Sequence, residues 1–124
     1  MEWVVKVAAL LVACEHLFIL YLEMFRWTST TATRAFAMTP AFAASTKAMA
    51  ANQGLYNGFL AAGLVWGAVH PDVGTGRQLL VFFLLCVMVA AVFGSLTVKR
   101  SILLVQGLPA AIALLLTWVA FAAS

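Results

Sequence analysis

Apolar residues gather in the stretches 3–25, 53–69, 78–98 and 102–122, and short polar segments separate them. A helix that crosses the ~30 Å hydrocarbon core of a bilayer needs about 20 mainly apolar residues. Each stretch approaches that length. The pattern therefore predicts an all-α fold: a polytopic membrane protein built as a four-transmembrane-helix bundle, with residues 1–124 as one domain. The turn between the second and third spans is expected at 70–76, His-Pro-Asp-Val-Gly-Thr-Gly, where Pro71 ends span two. His70 reads there as a loop histidine. The link between spans three and four is short, which makes them antiparallel neighbours. Ser101 can cap span four.

Loop one is longer. Residues 28–33 are rich in Ser and Thr and are expected to be irregular. Thr39-Pro40 then reads as an N-cap followed by proline at the first helical position. Nothing stops a helix from 40 to 69, and 30 residues would reach about 45 Å at 1.5 Å each. Span two is thus expected to project beyond the bilayer or to lie along its interface, with Phe36, Phe42, Met49 and Lys47 on the interfacial surface. A partly ordered loop packed on the bundle is the alternative.

Composition strengthens the membrane reading. Of 124 residues, 65% are hydrophobic and only 9% charged. A water-soluble domain of this size cannot hide that much apolar surface. The first stretch reads as a retained span rather than a cleaved leader, because it lacks a basic start, is long and carries acids. The net charge of +3 follows from basic residues that flank the spans. Arg26, Arg34, Lys47, Lys99 and Arg100 fall in loops one and three, against Lys6 and Arg77 on the other side. That bias places loops one and three in the cytoplasm and both termini outside. No phosphate loop, basic-aromatic patch or metal-ligand spacing is present, so neither nucleic acid nor a metal is implied. No cofactor is implied either. Cys14 and Cys86 fall within spans and are expected to be small buried hydrophobes rather than a disulfide framework.

Candidate chemistry lies in the polar groups inside the apolar stretches. Ionisable groups in hydrocarbon are costly, and they usually face a protein interior, a partner or a water-filled cavity. Span one carries Glu15, His16 and Glu23. His16 and Glu23 are seven apart, so they share a helical face, and Arg26 lies three beyond Glu23, within pairing reach. Span two opens with Asn52, Gln53, Tyr56 and Asn57, in which Gln53 and Asn57 share one face and Asn52 and Tyr56 another. Gly54 and Gly58 are spaced for close helix approach, as are Gly63 and Gly67. Span four adds Gln106 before Gly107 and Pro109. Under the inferred orientation these groups converge at one depth, with Glu15 and His16 deeper. The nine residues Glu15, His16, Glu23, Arg26, Asn52, Gln53, Tyr56, Asn57 and Gln106 are thus the candidate ligand-binding set. The simpler alternative is that they hold helices together.

The strings Glu15-His16-Leu17-Phe18, Leu22-Glu23-Met24-Phe25-Arg26-Trp27 and Ala51-Asn52-Gln53-Gly54-Leu55-Tyr56-Asn57-Gly58-Phe59-Leu60 resemble the signature of a bacterial family of unknown function, whose members are small four-helix integral membrane proteins. Met38-Thr39-Pro40-x-Phe42 and Gln106-Gly107-x-Pro109 extend the resemblance over nearly the whole chain. It implies the architecture and a bacterial inner (plasma) membrane, and it brings no reaction. A weaker resemblance, in layout, is to the membrane-associated eicosanoid and glutathione enzymes. Their second helix opens with an arginine-alanine-histidine-x-asparagine-x-x-glutamate-asparagine motif. Here residues 47–57 keep Asn52 and Asn57 but lack the arginine, histidine and glutamate.

The leading expectation is a small membrane protein that binds an amphiphile or lipid headgroup in a polar pocket open to the cytoplasm between spans one, two and four. Arg26 and the amides would be its contacts. A glutathione-transferase-like enzyme is one alternative, although no residue is placed to activate a thiol. The other is a proton-coupled transporter using Glu15 and His16, which would need a homo-oligomer to enclose a path.

Overall fold

The computed structural model describes residues 1–123; Ser124, the last residue of the expected domain, lies outside the described residues. The described residues are almost entirely helical. In chain order they form α1 (Glu2–Phe25), α2 (Thr30–Ala35), α3 (Pro40–Ser45), α4 (Lys47–Val69), α5 (Val73–Thr97), a π-helical segment (Leu103–Gly107) and α6 (Leu108–Ala122). Three helical stretches are long and apolar enough to cross a membrane: Glu2–Phe25, Val73–Thr97 and Leu103–Ala122. At 23 residues α4 has the length but not the apolarity, because Asn52, Gln53 and Asn57 interrupt its first half.

α1 packs along most of α4, α4 packs on α5, and α6 closes against both α5 and α1. The core between them is made of Val5, Ala9, Val12, Ala13, Ala61, Leu64, Leu80, Leu84, Val87, Ala110 and Ala113. Alanines let the helix axes come close, while leucines from α4 and α5 fill the space between. Many large apolar side chains instead face outward, among them Trp3, Leu11, Phe93, Leu96, Leu104 and Trp118. In water so wide an apolar surface would drive aggregation. Against acyl chains it costs nothing.

Loop one is more ordered than its composition predicts. Thr28 and Ser29 are irregular as expected, but residues 30–33 are helical: Ser29 caps α2, its hydroxyl accepting the Ala32 N–H at 3.3 Å. α2 closes in a Schellman motif, with the Met38 N–H donating to the Thr33 carbonyl at 2.8 Å and the Ala37 N–H to the Arg34 carbonyl at 3.3 Å. Ala37 sits there at φ 53°, the left-handed position that glycine usually fills. The expected Thr39 cap forms, the hydroxyl accepting the Phe42 N–H at 3.2 Å.

The uninterrupted helix from 40 to 69 does not form. Thr46 breaks it between α3 and α4. Its hydroxyl donates to the Phe42 carbonyl at 2.8 Å and accepts the Trp27 indole N–H at 3.0 Å. That bond to Trp27 ties the break to the end of α1. The indole also lies 4.9 Å from the Phe36 ring.

α5 begins five residues earlier than the apolar pattern suggests, because Asp72 caps it. The Asp72 carboxylate accepts the Thr75 N–H at 2.7 Å. Hydrogen bonds from the Thr75 side chain and backbone, helped by His70, hold this carboxyl below its usual range. At the same end of the molecule Arg77 pairs with Glu2 and lies over the Phe121 ring, 5.4 Å from its centre. Both cysteines are free thiols, but Cys14 is exposed rather than buried and Cys86 is half-buried.

Candidate functional site

Two polar arrangements emerge where the sequence suggests one. The first lies between α1 and α4. Glu23, almost fully buried, accepts a hydrogen bond from the Asn57 amide at 2.7 Å. The approach of the two helices makes this contact. A methyl group added at Gly54 would lie 3.0 Å from Glu23 Cβ and 3.2 Å from the Leu20 carbonyl, so only glycine lets α4 come this near. Asn57 also donates at 3.4 Å to the Gln53 carbonyl one turn back, which fixes the amide's orientation. His16, on the same face of α1, has no exposed surface. Its Nδ1 lies 2.8 Å from the Val12 carbonyl, and its buried Nε2 has no hydrogen-bond partner among the described residues.

The second arrangement is a cavity of about 240 Å³ between α1, loop one and the start of the last helical stretch. Its walls are Phe18, Ile19 and Leu22 from α1, Ala35 and Phe36 from loop one, and Ile102 and Val105 beyond loop three. Glu15 and Gln106 line its far end, and Lys99 and Ser101 line the end beside loops one and three. Glu15 and Leu22 are seven residues apart on α1, which gives the cavity a depth of about 10 Å. Phe18 and Val105 are each more than half exposed, so the cavity also opens sideways between α1 and the last helical stretch.

The π segment shapes this cavity. Pro109 has no N–H to give the Val105 carbonyl, so the α-helical ladder is interrupted there. The Leu108 N–H reaches back to the Leu103 carbonyl instead, and the turn between them widens. Such π turns often mark functional positions. Gln106 lies on this widened turn, and Gly107 is buried behind it. At the opposite end the Lys99 ammonium donates to the Arg34 carbonyl at 3.3 Å, which links loop three to loop one.

The expected set thus divides. Glu23 and Asn57 meet between α1 and α4, while Glu15 and Gln106 both line the cavity. Asn52, Gln53 and Tyr56 are exposed on α4, and none of them lines the cavity. Tyr56 instead stacks edge-on with Phe59, ring centres 5.6 Å apart. Arg26 is exposed beyond the end of α1, and Glu23 has Asn57 as its partner instead of Arg26. The sequence argument missed the part that loop one plays in the cavity. Phe36 of that loop lines the cavity, and its ring packs on Trp27. Among the described residues, no three His, Cys, Asp or Glu side chains gather closely enough to hold a metal ion.

Comparison with known proteins places this arrangement in a family. The model of the family described as "Protein of unknown function (DUF1304)" matches residues 10–118. The chain belongs to this family. The match takes in every candidate residue from Glu15 to Gln106, with both the α1–α4 contact and the cavity. The chain is also similar to "Uncharacterized protein YpaA" of Lactococcus lactis subsp. lactis (strain IL1403), at 33% identity over 111 residues, covering 88% of this chain and 92% of the relative. No solved structure matches it.

Proposed function

We propose that this DUF1304 protein is a four-span protein of the bacterial inner membrane that binds a small amphiphile in the cavity between α1, loop one and the last helical stretch. The cavity carries the reading. Its walls are apolar, one end is polar through Glu15 and Gln106, and the other is marked by Lys99 and Ser101. Pockets for small molecules have this make-up, an apolar lining with a few placed polar groups. The sideways opening beside Phe18 and Val105 offers an entry route from the acyl chains.

α4 is the fourth span in this reading. Its 23 residues give it about the length of a bilayer core, and it lies between α1 and α5, two helices apolar enough to cross. The Asn57 amide, the costliest kind of group to leave bare in lipid, has the Glu23 carboxyl as its partner. The basic residues of loops one and three set the orientation, with both termini outside and the Lys99 end of the cavity at the cytoplasm.

Native mass spectrometry of protein released gently from its membrane tests the proposal. Wild type is expected to carry a bound amphiphile. A Val105→Trp variant, whose indole would fill the sideways opening, is expected to lose it while keeping its helical content. An empty wild-type protein would sink the reading.

A further inference from the structure

Glu15 is the least explained group in the cavity. Its Oε1 is buried, and among the described residues the carboxyl makes neither a hydrogen bond nor an ion pair. Gln106, across the same end, has no hydrogen-bond partner there either. A buried acceptor without a donor is costly, and a site that leaves one open favours a molecule that supplies the donor. Lys99 is not that donor. It lines the opposite end and donates to the Arg34 carbonyl. The other polar groups in the lining are Ser101, also at the Lys99 end, and Gln106 itself.

The Glu15 carboxylate at this end accepts only, and the Gln106 amide can turn its oxygen to accept as well. Phe18 and Phe36 add aromatic surface to the walls. Taken with the surrounding aliphatic lining, this set fits an ammonium group on an apolar body better than it fits an anion or a plain hydrocarbon.

We propose that the cavity selects lipophilic amines, with the ligand's ammonium N–H groups donating to Glu15 and Gln106 and its apolar body lying against Phe18, Ile19, Phe36 and Ile102. This assignment rests on the amphiphile-binding reading given above and adds the chemical class of the ligand. The ammonium would enter first, toward the middle of the bilayer, and the Lys99 end would remain at the cytoplasmic side.

Isothermal titration of the protein in lipid nanodiscs, with empty nanodiscs subtracted, separates the two ideas. The probes are decylamine and decanol, which share a chain and differ in the polar group. Wild type is expected to bind the amine about tenfold more tightly than the alcohol, the gain of one charge-assisted hydrogen bond. Glu15→Gln keeps the shape and removes the charge. It is expected to abolish that preference, with an unchanged circular-dichroism spectrum showing that the variant is folded. Gln106→Leu is expected to weaken the amine with a smaller effect on the alcohol. Equal binding of amine and alcohol by wild type, or a preference that survives Glu15→Gln, would overturn the amine assignment and leave the cavity reading standing. Failure of wild type to bind either probe would overturn both.

Discussion

Single residues carry the clearest consequences. Ala37 occupies a left-handed position in the Schellman motif that ends α2. A Cβ there costs about 1 kcal/mol relative to glycine. Ala37→Gly is therefore expected to raise stability by up to about 1 kcal/mol, read as a higher midpoint in thermal unfolding in detergent. Glu23 and Asn57 make the opposite case. Each is the other's partner across α1 and α4, so removing one strands the other. Asn57→Leu is expected to cost about 1–3 kcal/mol. The double variant Glu23→Leu/Asn57→Leu should cost less than the two single changes added together, because no polar group is then left bare. Strict additivity in that cycle would mean that the pair does not couple. Which residues would be buried was legible in the sequence for His16 and Glu23, since seven residues return a helix to nearly the same face. Which partner each would choose was not. Arg26 lies three positions from Glu23 in sequence and Asn57 thirty-four, yet the close approach of α4 brings in Asn57.

At the scale of elements, ends and crossings decide. α5 begins at its Asp72 cap, and the ionised carboxylate is the form that accepts from Thr75. Because the folded state holds this carboxyl below its ordinary range, its contribution is present above the unfolded value and is lost as pH falls through the folded one. Asp72→Ala is expected to be less stable than wild type at neutral pH. The gap should close below the ordinary carboxylate range, as thermal unfolding at a series of pH values would show. Close to that cap α4 and α5 approach tightly: a methyl group at Gly76 would lie 2.7 Å from the Gly67 carbonyl oxygen. Backbone cannot yield as a side chain can, so Gly76→Ala is expected to cost about 1–3 kcal/mol. Chemical unfolding of the purified protein would measure it. The caps at Thr39 and the breaker at Pro71 could be read directly, since they depend on neighbours in sequence. The break at Thr46 could not, because Trp27, nineteen residues away, helps to set it.

The whole molecule is a set of helices with outward apolar faces around an alanine-lined core, with its cavity at the end that carries loops one and three. Site-directed thiol labelling in intact cells tests the proposed orientation. Cysteines placed at Arg34 and Arg100 should be shielded from an impermeant reagent, and one placed at Thr75 should react. Reaction at both ends would contradict a single orientation. By itself the sequence determined the helical class and three of the four expected spans, because each follows from local composition and from the length a helix needs to cross hydrocarbon. Only tertiary structure decided how the polar groups would divide, with Glu23 bonded to Asn57 and with Glu15 and Gln106 in the cavity lining. That division depends on how near α4 lies to α1 and on the wide turn ahead of Pro109. Both are properties of packed helices, and the polar pattern of any one helix does not contain them.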